Sequence, residues 1–300
     1  VDHRLIEGEV ALRGAQLVAG VGRLVALPQL QQAGANGAGL LQRAKQQAND
    51  VFAPIDRVAR RLAMTVARTP GTGMLTFVCA TRLDEESFPH SPLGRSLERL
   101  QANVEIEWRI AHANTRGLPE IYNDAIAAAS ADDTLVFLHD DVWLDDCFLP
   151  ARIEEGLARY QLIGVAGNVD APADHVAWCF REGLTWFEPE RLRGAIAHGA
   201  APFGKVSSFG ASPADCRLLD GVLLAARAAA LQAHGLRFDP RFAFHFYDLD
   251  FCRTAHQAGL SLGVWPVALT HASSGNFGTP AWCDALAVYR EKWPASVAAP

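Results

Sequence analysis

A short apolar run followed by acidic residues constrains the fold of this chain most. Residues 135–138 are all apolar, which is typical of a strand buried on both faces of a parallel sheet. His139, Asp140 and Asp141 follow directly. Ligand sites of open α/β sheets lie at the carboxyl ends of their strands. The run therefore predicts a central strand that ends at a functional site.

The residues around this run alternate between strand-like and helix-like segments. We predict strands over residues 75–80, 104–110, 135–138 and 162–167. We predict helices through Leu97 and Leu100 and over residues 118–129, 144–160 and 251–258. Residues 170–215 read as strands and loops that frame a substrate. This order predicts an α/β fold with a Rossmann-type, mainly parallel sheet flanked by helices.

Residues 1–70 have a different composition. They are rich in Ala, Leu, Gln and Arg and poor in aromatic residues, and a Thr-Pro-Gly-Thr-Gly stretch follows them at 69–73. We therefore predict a helical segment over 1–70 and a main domain over 71–300. The segment either packs on the main domain or on a second copy of the chain, or lies as a basic amphipathic helix on a membrane surface.

The overall composition excludes some classes of protein. A net charge of −6 and a pI near 5.9 argue against bulk nucleic-acid binding, which needs a basic face. Six scattered cysteines without a CxxC pair are typical of reduced thiols. No apolar run reaches the roughly 18 residues that a transmembrane helix needs. We expect a cytoplasmic protein. If residues 1–70 form a basic amphipathic helix on a membrane surface, we expect them to contact the inner membrane face peripherally.

The adjacent carboxylates of Asp140 and Asp141 indicate a cation. They repel each other unless positive charge lies beside them, and Mg²⁺ and Mn²⁺ prefer oxygen ligands. The alternative is an ordinary surface turn, in which Asp is common.

Further candidate residues come from the second half of the chain. Asp220 and Gly221 open an apolar stretch, although Asp220 is also a plausible helix cap. Asp248 lies among aromatic residues, where burial would raise its pKa toward the range that suits a general base. Asp250 is either a site residue or the partner of Arg253 in a helical ion pair.

His271 is predicted at the end of a late strand, where it is either a structural histidine or a ligand. The Ser- and Gly-containing loop at 273–278 follows it and is able to close over a substrate.

Several stretches, taken in order, resemble family 2 glycosyltransferases of the GT-A fold. They are TFVCATR, NTRGLPEIYNDAIAAA, LVFLHDDV, LLDGVLLAAR, FYDLDFCRTAHQAG and LTHASSG, and they span residues 75–277. The resemblance implies an inverting, metal-dependent transfer of a sugar to a hydroxyl of a glycan or glycolipid acceptor. It implies a UDP-, GDP- or dTDP-linked donor, and a part in the synthesis of bacterial surface polysaccharide.

The resemblance also implies a role for each candidate residue. It makes Asp248 the catalytic base, and Asp141 and His271 the ligands of Mn²⁺ or Mg²⁺. It assigns the nucleotide-sugar donor to Thr81, Arg82, Asn123 and Asp140. It assigns the acceptor side to Asp220, Gly221 and Asp250.

Two departures from the family pattern keep other functions open. His139 stands at the first Asp of the DXD motif, and Tyr247 stands where the family usually has Glu. Both would suit a non-catalytic glycan-binding or scaffold module derived from a glycosyltransferase. A nucleotidyl- or phosphotransferase would share Asp140 and Asp141. It would also need a Lys- or Gly-rich phosphate loop after the first strand, where this chain has ATRLDEESF.

Overall fold

The computed structural model describes residues 73–294, except for residues 103 and 274. The helical segment predicted over 1–70 lies outside the described residues, as do its predicted contacts with a second copy or a membrane. Within the described part of the chain, no helix is long and apolar enough to cross a bilayer.

The described chain alternates short strands with helices. The strands are β1 (Leu75–Ala80), β2 (Glu107–Ala111), β3 (Thr134–Leu138), β4 (Val142–Leu144), β5 (Leu162–Gly164), β6 (Ala166–Asn168), β7 (Phe180–Arg181), β8 (Thr185–Trp186), β9 (Leu192–His198), β10 (Lys205–Ser208), β11 (Ala214–Asp215), β12 (Leu218–Leu219), β13 (Leu223–Arg227), β14 (Leu262–Val264) and β15 (Leu269–His271). The helices are α1 (Pro92–Gln101), α2 (Leu118–Ala128), α3 (Leu149–Leu157), α4 (Ala228–Ala233), α5 (Tyr247–Gln257) and α6 (Pro280–Lys292).

The larger sheet has the strand order β11-β14-β5-β13-β3-β1-β2. Strand β1 runs parallel to both β2 and β3, and β14 runs parallel to β5. Strand β13 is antiparallel to its neighbours β3 and β5. The predicted α/β fold is confirmed, with β13 near the centre and β11 at the edge running antiparallel to their neighbours.

Strand β3 is the centre of the core. All five of its residues are buried, because β1 and β13 flank it and helices cover the sheet. Phe137 packs on Tyr122 from α2 and on Phe238 from the loop after α4. The continuous apolar run in the sequence is therefore explained by burial on both faces.

A second sheet, with the order β12-β6-β9-β15-β4, begins where β3 ends. The chain leaves β3 through His139-Asp140-Asp141 and enters β4, which pairs antiparallel with β15. A similar change of sheet occurs at Val165, between β5 and β6. The acidic turn therefore lies at the junction of the two sheets.

Several predicted element limits are wrong. The helix predicted over 144–160 covers only Leu149–Leu157, because residues 142–144 pair with β15 and Pro150 suits the first turn of a helix. The strand predicted over 162–167 divides between the two sheets. The strand predicted over 104–110 begins at Glu107. The helix predicted over 251–258 begins at Tyr247.

Candidate metal and catalytic site

Three side chains converge where β3 ends. His139, Asp141 and His271 each offer a ligand atom, and these atoms all lie within 4.8 Å of one another. The pairing of β4 with β15 explains this, because it places His271 opposite Val142, next to Asp141. Among the described residues, these three form the only such cluster with metal-ligating geometry.

The geometry of Asp141 fits a metal ligand. Its Oδ1 atom is buried and has no well-aligned hydrogen bond among the described residues, and the Nε2 atom of His271 lies 3.2 Å from it. Ligands about 2.0–2.2 Å from one ion lie about this far apart. Burial works to raise the pKa of Asp141, but the neighbouring His271 and His139 outweigh it and lower the pKa to about 2.

The donor set of two imidazoles and one carboxylate bears on the class of metal. Imidazole nitrogens suit transition metals, whereas Mg²⁺ prefers oxygen ligands alone. Burial lowers the pKa of His139, which favours the neutral imidazole that a metal requires. The family resemblance assigns only Asp141 and His271 to the metal, so His139 is a ligand candidate that the sequence motifs do not identify.

Tyr247 orients His139. The hydroxyl of Tyr247 donates to the carbonyl of Gly221 at 2.9 Å, and its oxygen lies 2.9 Å from Nε2 of His139. Because the Tyr247 hydroxyl donates its only proton to Gly221, its oxygen can only accept a hydrogen bond from His139. The proton of the neutral His139 ring is therefore on Nε2, which leaves Nδ1 able to bind a metal. The two departures from the family pattern therefore contact each other.

We expect Tyr247→Phe to weaken Mn²⁺ binding about 10- to 100-fold, because the histidine loses the partner that sets its tautomer. Calorimetric titration with Mn²⁺ measures this effect. Tyr160→Phe is the matched control, because the Tyr160 hydroxyl bonds Asp215 and not the metal cluster. Equal Mn²⁺ affinity in wild type and Tyr247→Phe would remove the orienting role.

Asp248 lies on the first turn of α5, directly after Tyr247, whose hydroxyl contacts His139. Its Oδ2 atom accepts a hydrogen bond from the backbone N–H of Gly221 at 3.0 Å. Burial and the negative charge of Asp220 raise the pKa of Asp248 to about 7. This carboxylate is therefore able both to accept and to release a proton near neutral pH, as a general base must.

Residue 221 must be glycine because its backbone packs closely against Tyr247 and Asp248 of α5. A Cβ atom at this position would collide with the Tyr247 hydroxyl and lie 2.9 Å from Cβ of Asp248. The turn between β12 and β13 can therefore pack on α5 only when residue 221 has no side chain. Gly221 joins the metal cluster to Asp248 through its two backbone groups.

Asp220 is held in the same turn by two donors. Its Oδ1 atom accepts from the N–H of Val222 at 2.8 Å, and its Oδ2 atom accepts from Nε1 of Trp178 at 2.6 Å. The first bond is a local turn contact and the second reaches a distant loop. Asp220 lies in a turn before β13, and α4 begins only at Ala228, so Asp220 opens the apolar stretch and does not cap a helix.

Thr81 and Asp140 meet at the ends of neighbouring parallel strands. The hydroxyl of Thr81 donates to Oδ2 of Asp140 at 2.5 Å, which holds this carboxylate beside the metal cluster. Arg82 is exposed next to them and forms no ion pair within the described residues. The structure therefore brings three of the predicted donor-binding residues together.

Asn123 is not placed with them. Its side-chain amide donates to the carbonyl of Phe238 at 2.8 Å and accepts from the N–H of the same residue at 2.8 Å. Both ends of the amide are thus engaged in joining α2 to the loop after α4. This position suits a structural role rather than the predicted nucleotide contact.

Asp250 also faces away from the site. Successive residues of a helix turn by about 100°, so Asp248 and Asp250 point to nearly opposite sides of α5. Asp250 is fully buried and bonds Nζ of Lys292 and Nε1 of Trp293, rather than Arg253. It therefore anchors the end of α6 to α5 and does not reach the predicted acceptor side.

We expect Lys292→Met to lower the free energy of unfolding by about 3 kcal/mol, because it leaves the buried Asp250 carboxylate without its charged partner. Chemical denaturation monitored by circular dichroism measures this loss. Arg290→Met is the control, since Arg290 pairs with Glu182 at the surface. An equal, small effect in both variants would contradict the anchoring role.

Comparisons with known proteins identify no family. No family model matches the chain, and no curated protein matches it. Similar solved structures include A197 from STIV, with a TM-score of 0.35 and 11% identity over 64% of this chain and 82% of that chain.

Two further similar structures are glycosyltransferases by name. The catalytic domain of Drosophila beta1,4galactosyltransferase 7, in complex with xylobiose, has a TM-score of 0.34 and 11% identity over 64% of this chain and 65% of that chain. Mannosyltransferase PcManGT from Pyrobaculum calidifontis, in complex with GDP-Man and Mn²⁺, has a TM-score of 0.38 and 15% identity over 80% of this chain and 70% of that chain. The function proposed below rests on the side chains of the site rather than on these distant likenesses.

Proposed function

We propose that this protein is a metal-dependent glycosyltransferase that uses a nucleotide-sugar donor. One observation carries the proposal: a three-ligand metal cluster and a carboxylate with a pKa near 7 lie on either side of Gly221. Transfer of a glycosyl group from a nucleotide diphosphate to a hydroxyl is promoted by a Lewis acid that stabilises the departing diphosphate and by a base that takes the proton of the hydroxyl.

The metal cluster is placed to serve the leaving group. His139, Asp141 and His271 would hold Mn²⁺, which when bound acts as a Lewis acid on the donor diphosphate. Thr81 holds Asp140 next to the cluster, where this carboxylate is able to bind a ribose hydroxyl. Arg82 adds an exposed positive charge at the same edge of the sheet.

In this proposal, Asp248 acts on the acceptor. Above pH 7 its carboxylate is ionised and able to take the proton of an incoming hydroxyl, which makes that hydroxyl a better nucleophile. A single displacement with this base on the acceptor side inverts the anomeric centre. We infer inversion, and membership of the family 2 type, from the order of the motifs. We also infer a glycan or glycolipid acceptor and a role in bacterial surface polysaccharide.

The non-catalytic alternative receives less support from the geometry. His139 and Tyr247 first suggested a degenerate site, yet they bond each other and leave a histidine nitrogen available for a metal. Asn123 and Asp250 are better explained as structural residues, and we do not assign them to substrate.

Calorimetry with UDP, GDP and dTDP, each with and without Mn²⁺, tests this proposal. We expect one nucleotide to bind with an affinity that Mn²⁺ raises, followed by transfer activity with the matching donor in a nucleotide-sugar screen. Absence of nucleotide binding in every condition would overturn the proposal and favour a non-catalytic module.

A further inference from the structure

A group of partly exposed aromatic rings is connected to the proposed site through packed side chains and through the loop after His271. It consists of Phe180 and Trp186, which face each other across the β7–β8 pair, and Phe277 from the loop after His271. The ring centroids of Phe180 and Trp186 are 4.7 Å apart, and those of Phe180 and Phe277 are 5.2 Å apart. We call these three residues the aromatic platform.

The aromatic platform is open on one side. Trp186 is 56% exposed and Phe277 is 38% exposed, although both side chains are large and apolar. Aromatic rings of this size contribute most when a partner covers them, so an exposed cluster usually marks a binding surface. Phe209 stacks on Trp186 with 5.9 Å between ring centroids, and more than half of Trp186 remains exposed.

Two connections tie the platform to the proposed active site. Trp186 stacks on Phe209, which packs on Trp178, and Nε1 of Trp178 bonds Asp220 at 2.6 Å. Asp220 in turn raises the pKa of Asp248 through its charge. The second connection is the chain itself, because Phe277 belongs to the loop that follows the metal-ligand candidate His271.

The rim of the platform is polar and rich in ion pairs. Arg181 bonds Glu188 at 2.7 Å, and Arg290 bonds Glu182 at 3.0 Å. A lipid chain or a membrane surface would remove these charged groups from water at a cost in free energy. A sugar ring suits the same surface, because it offers C–H groups to an aromatic face and hydroxyls to the charged rim.

We propose that the aromatic platform is an acceptor subsite, on which a pyranose ring of the acceptor glycan stacks against Trp186. The inference rests on the proposed function and adds to it the class of acceptor. Because this ring is a different sugar unit from the one whose hydroxyl Asp248 deprotonates, the subsite selects an oligosaccharide rather than a free monosaccharide.

A glycan array probed with the full chain, in the presence of Mn²⁺ and the preferred nucleotide, tests the subsite. We expect wild type to retain oligosaccharides, Trp186→Ala to lose about 10-fold or more in affinity, and Trp186→Phe to retain most of it. Phe203→Ala is the matched control, since Phe203 is an aromatic residue that is 73% exposed outside the platform.

Nucleotide calorimetry on the same variants separates the two proposals. Trp186→Ala with normal nucleotide and Mn²⁺ binding but weaker glycan binding supports the subsite. Retention of no glycan, or of glycans equally by wild type and Trp186→Ala, overturns the subsite while leaving donor binding intact. Capture of alkyl chains or of a second copy of the chain by the platform, lost in Trp186→Ala without a change in glycan retention, also overturns it. Absence of nucleotide binding in wild type overturns the proposed function instead.

Discussion

Replacement of Asp248 by Asn is expected to lower kcat about 10²- to 10⁴-fold at pH 8, the usual contribution of a general base. The affinity for nucleotide and Mn²⁺ should stay near that of wild type, because Asp248 is not among the metal-ligand candidates. In wild type, the rate should rise with pH and level off above about 7, as Asp248 loses its proton.

The same substitution should make the fold more stable. The pKa of Asp248 is raised from 3.8 to about 7, so the folded protein holds this proton more tightly than the unfolded chain does. Ionisation therefore reduces stability as the pH rises from about 4 to about 7, by at most about 4 kcal/mol. Asn does not ionise, so the gain should be full above pH 7 and vanish below pH 4.

Denaturation at pH 4 and pH 8, together with a transfer assay, measures both effects in the same samples. Asp284→Asn is the control, since Asp284 is exposed on α6. Undiminished transfer in Asp248→Asn would remove the base assignment. A loss of both activity and stability at pH 8 would show that the carboxylate is structural.

Replacement of Asp141 by Asn should have the second large effect. It removes the only negative charge among the three ligand candidates, so Mn²⁺ affinity should fall by more than about 100-fold. Transfer should fall by about 10³-fold, which corresponds to several kcal/mol of lost Lewis-acid stabilisation. Calorimetry and electron paramagnetic resonance of Mn²⁺ measure binding independently of activity.

Asp132→Asn is the matched control, because Asp132 is exposed at the amino end of the same strand and far from its functional end. Excess Mn²⁺ should partly restore activity in Asp141→Asn, since the two histidines remain. Unchanged Mn²⁺ binding in Asp141→Asn would contradict the placement of the metal at the end of β3.

The α/β architecture could be predicted because its signals are local. The apolar run of β3 is long enough to indicate burial on both faces, and the acids that follow mark its functional end. The course of the chain just beyond could not be predicted. Residues 142–144 become a strand only because β15, more than a hundred residues later, pairs with them.

The partners of the site residues were harder to predict than the residues themselves. Asp248 and Asp250 have almost the same local sequence context, yet α5 begins at Tyr247 and turns them to opposite sides. Asn123 matches the family pattern but bonds the backbone of Phe238, which lies far away in sequence. Helix register and long-range contacts decide these roles, and neither can be inferred from a short motif.

The contact between His139 and Tyr247 also could not be inferred from short motifs. Each residue departs from the family pattern when considered alone. Their hydrogen bond at 2.9 Å shows that the departures are complementary. The position of an imidazole directly before the adjacent acids Asp140 and Asp141 was the signal in the sequence that could have identified His139 as a third ligand.

Residues 170–190, which carry Phe180 and Trp186, form a loop whose two ends lie side by side on the second sheet. Asn168 pairs with Leu192, and the N–H of Val169 bonds the carbonyl of Arg191, so the ends of residues 170–190 stay together. Residues 176–179 and 187 of this loop are buried in the core, so only the exposed tip at residues 182–186 can change in length at little cost in free energy. Under the proposed function, varying this tip is a route to altered glycan preference that leaves the residues at the end of β3 unchanged.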